Sequence, residues 1–364
     1  MAQLLHEIQW ELPLLPPVAD PAWAAEMKRR GVAPRNLDLL VARNPWLREA
    51  CLGAVTYQVR QIPARLANIG AVVTAQENSC RYCYGANRAY MKMLGYPESF
   101  ITRIERDAQV AELDDKERDF ILFCRNLARS MPRPAKAERE ALIRLGYAPL
   151  AVNEMAFFIA LCCFYNRVAV LLACPPELSF ERFANGFIGR LFALAGLLQR
   201  ALAEKMGRTQ AAPALDAATP PRGPFRAITA TLAGLSAAAW MEAALEGAFA
   251  STALPRRTKA LMFAVVARSL DCLHCEAEAS KMLVSDGFTE PEIEAALATL
   301  TSKRLEPFES RLLSWVRGTV HYQPSAIQNE TRGLAAEIGE AAILEAIGVA
   351  ALANATVRLA MLLE

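Results

Sequence analysis

Two Cys-x-x-Cys pairs are the residues of this sequence best suited to chemistry. Cys80 and Cys83 form the first pair, and Cys272 and Cys275 form the second, 192 residues further along the 364-residue chain. Cysteines three positions apart on a helix lie on one face, so they can bridge with little backbone movement. Such a pair is suited to thiol–disulfide exchange, or to attack on a peroxide by one thiol and resolution of the sulfenic acid by the other.

The residue before each pair predicts where the thiols lie on their helices. Ser79 and Asp271 are good N-cap residues, which would place Cys80 and Cys272 in the first turn of a helix. A first-turn thiolate lies near free N–H groups and the positive end of the helix dipole, so the thiol pKa is expected to fall. Two other interpretations stay open: thiols that only pack, and a zinc ion held by both pairs.

The chain contains an internal repeat. A shift of 192 residues that superimposes the Cys pairs also aligns glycine, arginine and proline positions over roughly 110 residues per copy, which indicates a duplicated domain. We predict a first domain with an N-terminal arm over 1–175, a helical connector and flexible linker over 176–224, and a second domain over 225–364. The aligned positions are Gly95 with Gly287, Arg65 with Arg257, Arg125 with Arg317, and Pro132 with Pro324.

Each copy is predicted to be all-α, because no period-2 strand pattern is evident in either. Apolar residues recur at helical spacing over 63–76 and 255–270. The helices that follow, 80–94 and 272–286, are expected to end at Gly95 and Gly287. Thr289 to Glu292 predicts a capping box. Polar residues interrupt the very apolar segment 148–173, which therefore fits a buried core helix better than a membrane span.

Composition narrows the function. The net charge is +2, from 40 basic and 38 acidic residues without a block of like charge, so neither nucleic acid nor a membrane is an expected partner. The N-terminus lacks the pattern of a signal peptide, and we expect a cytoplasmic protein without a disulfide scaffold. The remaining five cysteines lie in apolar runs and are predicted to pack as small hydrophobic residues: Cys51, Cys124, Cys162, Cys163 and Cys174.

With these features the sequence resembles the alkylhydroperoxidase D-like branch of the carboxymuconolactone decarboxylase superfamily. The resemblance rests on a Cys-x-x-Cys that opens a helix, a glycine fifteen residues after the first Cys, and a closing helix with Phe164-Tyr-Asn-Arg167 or Val357-Arg358. It covers residues 45–172 and 235–363. It implies two tandem copies of an all-α domain that assembles as trimers or hexamers, so three chains could form a pseudo-hexamer. We expect neither a cofactor nor a metal.

The resemblance also implies roles for the cysteines. Cys83 and Cys275 would attack a hydroperoxide, and Cys80 and Cys272 would resolve the product and exchange with a thiol or lipoyl-type protein reductant. His274, within the second pair, is a further catalytic candidate that could lower a thiol pKa or carry a proton. The alternative for His274 is an exposed helix residue.

The sequence departs from the family at the proton relay. A Glu and a His are expected, yet Asn68 and Asn87 occupy these positions in the first copy, and Ala260 and Ala279 in the second. Asparagine cannot transfer a proton at neutral pH. Glu77 is either a substitute acid or base or, more simply, a solvated carboxylate. His6 and His321 are expected to be surface residues.

The sequence therefore leaves several functions open. Thiol-dependent hydroperoxide reduction, or disulfide exchange through the Cys pairs, is the leading hypothesis. A non-enzymatic redox sensor or scaffold with degenerate sites is the main alternative, because both copies lack the relay. A decarboxylase or a zinc-binding protein is less expected. The connector over 176–224 could be a lid, an interface element or a spacer.

Overall fold

A computed structural model describes residues 3–106, 113–131, 133–134, 136–205 and 223–362, with the side chains of 199–205 left out of the description. Pro132 and residues 207–222 of the predicted linker lie outside the described residues. Within the described part the chain is all-α, with nineteen helices and no strand. The predicted fold class is therefore confirmed.

The helices form two series joined by a helical connector. The first series is α1 Pro21–Arg29, α2 Asn36–Val41, α3 Pro45–Thr56, α4 Ala64–Glu77, α5 Arg81–Met93, α6 Glu98–Arg106, α7 Asp115–Arg129, α8 Lys136–Arg144 and α9 Pro149–Leu171. The connector contains α10 Leu178–Asn185 and α11 Phe187–Lys205. The second series is α12 Arg226–Ala230, α13 Ser236–Ala250, α14 Arg256–Ser269, α15 Leu273–Ser285, α16 Glu290–Thr299, α17 Pro307–Gly318, α18 Pro324–Ile338 and α19 Glu340–Met361.

The repeat in the sequence is also a repeat of helices. Helices α4 to α7 begin at residues 64, 81, 98 and 115, and α14 to α17 begin at 256, 273, 290 and 307, so each pair is 192 residues apart. The long helices α9 and α19 begin 191 residues apart, at 149 and 340. The same helix order thus occurs twice, while the domain bounds at 175 and 224 stay a prediction.

The two copies share one core instead of folding as separate bodies. Helices α9 and α19 pack against each other at its centre, and one apolar cluster extends from Ile8 to Leu362. Both helices are long and apolar enough to cross a membrane by length and composition, but 83% of the apolar window in α9 and 94% of that in α19 is buried inside the protein. The prediction of a core helix over 148–173 is therefore confirmed.

Two tryptophans pack closely against glycines at the contact between α3 and α13. A Cβ atom on Gly53 would lie 2.7 Å from Cδ1 of Trp240, and one on Gly247 would lie 2.8 Å from Cβ of Trp46. The ring of Trp46 also covers Gly348 of α19, where a Cβ would lie 2.6 Å from Cη2. Only residues without a side chain leave room for these rings, so the copies interdigitate at close-packed density.

Two buried arginines connect the copies reciprocally. Arg167 of α9 donates to the carbonyl oxygens of Thr319 and Val320 after α17, each at 3.1 Å. Arg358 of α19 donates to the carbonyl oxygen of Ala128 in the last turn of α7, at 3.3 Å. Carbonyls at a helix C-terminus lack intrahelical donors and carry partial negative charge, so they suit a guanidinium. Neither arginine has a carboxylate partner among the described residues.

His321 lies beside this arginine pair. It lines a cavity of about 170 Å³ together with Arg167 and Tyr322. Partial burial, and then the positive charges of Arg358 and Arg167, lower the pKa of His321 to about 4. His321 is exposed, as the sequence predicted, but its electrostatic environment was not predicted.

This pKa shift predicts a contribution to acid sensitivity. Below the ordinary histidine pKa of about 6.5 the unfolded chain takes up a proton that folded His321 resists, so stability falls as the pH drops from about 6.5 to about 4. The variant His321→Gln should show a weaker pH dependence of the unfolding free energy across that window. Urea unfolding at several pH values measures it, with exposed His6→Gln as the control. Parallel profiles for wild type and His321→Gln would contradict the prediction.

Candidate thiol site

Each Cys pair lies at a sharp junction between two helices. Ser79 and Asp271 have left-handed backbones, with φ of 46° and 53°. The Cys80 N–H donates to the carbonyl oxygen of Ala75, and that of Cys272 to Ala267, both at 2.9 Å. These bonds close a Schellman-type helix end, which needs a left-handed residue just before the donor.

The predicted helix starts are therefore wrong by one residue. Ser79 and Asp271 end the preceding helices α4 and α14, and Cys80 and Cys272 are themselves the N-cap residues of α5 and α15. The preceding helix determines where the next one begins, because its last carbonyl oxygens accept hydrogen bonds from the N–H groups of Cys80 and Cys272. The predicted stops at Gly95 and Gly287 are confirmed, with φ of 78° and 89°.

The first thiol pair is buried and internally bonded. The Sγ atom of Cys80 accepts a hydrogen bond from the backbone N–H of Cys83 at 3.3 Å. Cys80 is fully buried and Cys83 is 4% exposed. Burial, together with the hydrogen bond to Cys80, raises the pKa of the Cys83 thiol well above its ordinary value. Loss of water around the Cys83 thiolate therefore outweighs the nearby helix N-terminus.

Cys83 lies in the wall of an apolar cavity of about 660 Å³. This size is within the range of small-molecule sites, roughly 300–1,000 Å³. Asn68 and Asn87 line the same cavity, so both relay positions border the space next to the thiol that the family resemblance marks as attacking. The side chain of Asn87 is held by a hydrogen bond to the carbonyl oxygen of Ala71 at 3.2 Å.

Helix α9 adds two polar groups to the cavity, from the Phe164–Arg167 motif, for which the sequence predicted no role in the site. Tyr165 and Asn166 both line it, and Asn166 is only 2% exposed. Neither the Tyr165 hydroxyl nor the Asn166 Nδ2 atom has a hydrogen-bond partner in the described part of the chain. A buried donor left unpaired costs about 1–3 kcal/mol, so these groups suit an oxygen atom of a ligand. The available signal was a polar pair within a very apolar helix.

Cys162 also lines this cavity, next to the same face of α9. It is half-buried, and burial raises its thiol pKa. The prediction that Cys162 only packs is therefore incomplete, since a third thiol borders the cavity.

The helical connector completes the cavity wall. Glu177 and Phe180 line it, and the Tyr82 hydroxyl lies 3.4 Å from Oε1 of Glu177. Arg81 binds Glu181 through two contacts of 2.7 and 3.0 Å. The connector is thus tied to the first turn of α5, immediately after Cys80.

The second thiol pair has different surroundings. Cys272 and Cys275 are fully buried, and so are Ala260 and Ala279 at the relay positions. The residue that corresponds to Ala71 in the repeat is Phe263, whose ring stacks on Phe225 at 4.6 Å between centroids.

A second difference between the copies also replaces a small residue with a large one. Lys259 corresponds to Ala67, is fully buried, forms an ion pair with Glu345 and donates to the carbonyl oxygen of Ala248 at 2.6 Å. Two large, fully buried side chains in the second copy therefore stand at the positions of two alanines that line the cavity in the first.

The remaining candidate residues are separated from the large cavity or untested. His274 is half-buried on α15 between Cys272 and Cys275, and its proposed role stays a prediction. The Glu77 side chain is 1% exposed and binds Arg125 and Arg129, with a contact of 3.0 Å to the latter. The expectation of a solvated carboxylate is therefore wrong. Glu77 lines the small cavity beside Arg167, whereas Cys83 lines the large one.

The thiols do not converge on a metal site. Within the described ranges no three His, Cys, Asp or Glu side chains are placed to hold one metal ion. The two Cys pairs therefore do not form the four-thiolate zinc site that the sequence left open.

These observations define an all-α protein in which a thiol pair at a helix N-terminus borders an apolar cavity. Residues 236–317, which contain the second Cys pair, match the model of the carboxymuconolactone decarboxylase family. The resemblance predicted from the sequence is thereby confirmed over that segment. No curated protein matches the chain.

One solved structure is similar to part of the chain. It is the alkylhydroperoxidase AhpD core of an uncharacterized peroxidase-related protein from Ralstonia eutropha JMP134, with 19% identity and a TM-score of 0.41. The match covers 47% of this chain and 95% of that one.

Proposed function

We propose that the first copy reduces apolar hydroperoxides through Cys83 and Cys80. The observation that carries the proposal is the apolar cavity of about 660 Å³ bordered by Cys83, with Cys80 bonded to the same turn. The family resemblance suggests the same division of roles, with Cys83 attacking and Cys80 resolving. The second copy would be structural, because its thiols are fully buried and the bulky Phe263 and Lys259 stand at the positions of two alanines that line the cavity of the first copy.

The chemistry balances with a dithiol as the reductant. The Cys83 sulfur attacks the terminal peroxide oxygen, the O–O bond breaks, and the thiol proton ends on the alcohol that leaves. Cys83 becomes a sulfenic acid, which the Cys80 thiol converts to a disulfide with release of water. A dithiol such as a lipoyl-bearing protein then reduces the disulfide, and a reducing, cytoplasmic setting fits this cycle.

Tyr165 and Asn166 would assist the leaving oxygen. Both are hydrogen-bond donors that line the cavity without a partner among the described residues. Burial raises the pKa of Tyr165 well above its ordinary value, so its hydroxyl keeps its proton and can donate. These donors would stabilise charge on the departing oxygen without replacing the missing relay as a proton shuttle.

A redox sensor is the second candidate. The raised pKa of the Cys83 thiol favours it, because few thiolates are present at neutral pH and oxidation would be slow. In that case peroxide would form one disulfide between Cys80 and Cys83 without repeated turnover.

A variant that fills the cavity tests the proposal, and the matching position in the second copy suggests which residue to introduce. Ala71→Phe introduces the residue found at the corresponding position, Phe263, and should reduce turnover of cumene hydroperoxide with dithiothreitol by about tenfold or more. Ala71→Ser, which keeps the cavity open, should retain the wild-type rate. Initial rates of hydroperoxide loss measure both.

Two results would contradict the proposal. One is equal turnover by wild type and Ala71→Phe, provided that circular dichroism shows both folded. The other is a wild type that consumes a single equivalent of hydroperoxide and then stops, which would establish the sensor instead.

A further inference from the structure

Helix α11 packs with its small residues inward and its large apolar residues outward. A Cβ atom on Gly196 would lie 2.7 Å from the carbonyl oxygen of Met93, and one on Gly95 would lie 2.5 Å from that of Ala193. The helix therefore lies directly against the end of α5. A surface helix normally turns its apolar stripe toward the core, so this arrangement is inverted. The exposed residues are Phe187 at 76%, Ile188 at 56%, Leu191 at 51%, Phe192 at 52%, Leu194 at 60%, Leu197 at 47% and Leu198 at 65%.

These seven side chains, the α11 patch, form a surface of interface size. At the exposed fractions given above, and on a scale where a large aromatic side chain buries 150–250 Å², they expose on the order of 700 Å². The largest apolar patch of a typical monomer is roughly 300–600 Å². A stable protein interface takes roughly 800 Å² from each partner. The α11 patch thus exceeds what a monomer usually exposes and approaches what a dimer needs.

The spacing of the patch fits another helix. Phe187, Leu191, Leu194 and Leu198 follow one another at intervals of four, three and four residues. This is the alternation of a and d positions along the seam of paired helices, where side chains insert between those of the partner. Ile188 and Leu197 widen the seam on either side.

Two other occupants fit the patch poorly. Residues 206–222, which follow α11 in the chain, contain only Met206 and Leu215 as large apolar residues, too few to cover it. An interfacial membrane helix usually carries a row of Lys and Arg beside its apolar face, whereas residues 187–198 contain a single charged residue, Arg190.

We propose that α11 is a self-association surface, on which α11 of a second copy of this chain packs about a two-fold axis. A two-fold contact uses the same patch on both chains and leaves no unpaired apolar surface. It differs from the trimer implied by the family resemblance, because it rests on the connector, outside the matched segment 236–317.

Sedimentation equilibrium of the full chain tests this proposal. The wild type should have twice the 39.9 kDa mass of one chain, and Leu191→Glu/Leu194→Glu should have the mass of one. Leu273→Glu is the control, because Leu273 is 76% exposed on α15 and lies outside the patch. Circular dichroism checks that each variant is folded, and Leu194→Ser serves as a milder change if the double variant is not.

Two outcomes would overturn the proposal: a monomeric wild type, and an oligomer whose mass does not change in the patch variants. A monomeric wild type that co-sediments with vesicles of phosphatidylcholine and phosphatidylglycerol, and loses this binding in Leu191→Glu/Leu194→Glu, would assign the patch to a membrane surface instead. Loss of association in the patch variants, with retention in Leu273→Glu, would support the proposal.

Discussion

Replacing Cys83 with serine is expected to lower hydroperoxide turnover by about a hundredfold or more, because a serine hydroxyl is a far weaker nucleophile than a thiolate. Cys275→Ser should leave turnover close to that of the wild type. The two positions match in the repeat, yet Cys83 borders the large cavity whereas Cys275 is fully buried beside Ala279. Steady-state rates with cumene hydroperoxide and dithiothreitol measure both effects.

The opposite pattern would be equally informative. If Cys275→Ser lost as much turnover as Cys83→Ser, the second copy would be a working site that opens in solution. Mass spectrometry of the oxidised wild type adds an independent readout, because the proposal requires a disulfide between Cys80 and Cys83. The Cys80→Ser variant should instead accumulate the sulfenic acid, since the resolving thiol is lost.

Arg167→Met is expected to lower the free energy of unfolding by about 3 kcal/mol or more. The Thr319 carbonyl oxygen would lose its buried, charge-assisted hydrogen bond, and a buried polar group left unpaired costs about 1–3 kcal/mol. The Val320 carbonyl oxygen would lose one of its two arginine donors and keep the bond from Arg358 at 3.2 Å. Asn78 would also lose a bond of 3.1 Å from its Oδ1 atom to the guanidinium. Urea unfolding followed by circular dichroism measures the change.

The double variant Arg167→Met/Arg358→Met tests the physical reason. Two buried guanidiniums repel each other, and burial and then the charge of Arg167 lower the pKa of Arg358 to about 9. Each single change relieves this repulsion and leaves the Val320 carbonyl oxygen one donor, so removal of both should cost more than the two single changes added together. The control is Arg311→Met, because Arg311 forms a solvent-exposed pair with Glu337 and should have little effect. Stability unchanged in Arg167→Met would show that the inter-copy bonds contribute little.

Local features of the fold were predictable because they depend on neighbouring residues. Gly95 and Gly287 mark the ends of α5 and α15, since only a left-handed residue closes a helix in that way. The capping box at Thr289 is present, with Glu292 bonded to the Thr289 N–H at 2.9 Å. The repeat was visible for the same reason, because both copies keep the residues that set the helix ends.

The N-caps show where local reasoning stops. Ser79 and Asp271 have good N-cap side chains, but the bonds from Cys80 to Ala75 and from Cys272 to Ala267 place them at the ends of the preceding helices. Two adjacent helix ends compete for the same few residues. Whether such a residue ends the first helix or caps the second depends on how the two helices pack, and the identity of that residue alone does not show this.

The sequence by itself determined that this chain is all-α, repeats one helix order and carries a thiol pair in each copy. Only the tertiary structure decided which pair borders a cavity of ligand size. Ala71 and Phe263 occupy matching positions in the repeat. Ala71 lines the cavity, whereas Phe263 packs on Phe225, and the sequence does not show which of these surroundings each residue has. The thiol pKa was decided in the same way, because the water lost around Cys83 depends on side chains from α3, α4, α9 and the connector that are distant in sequence.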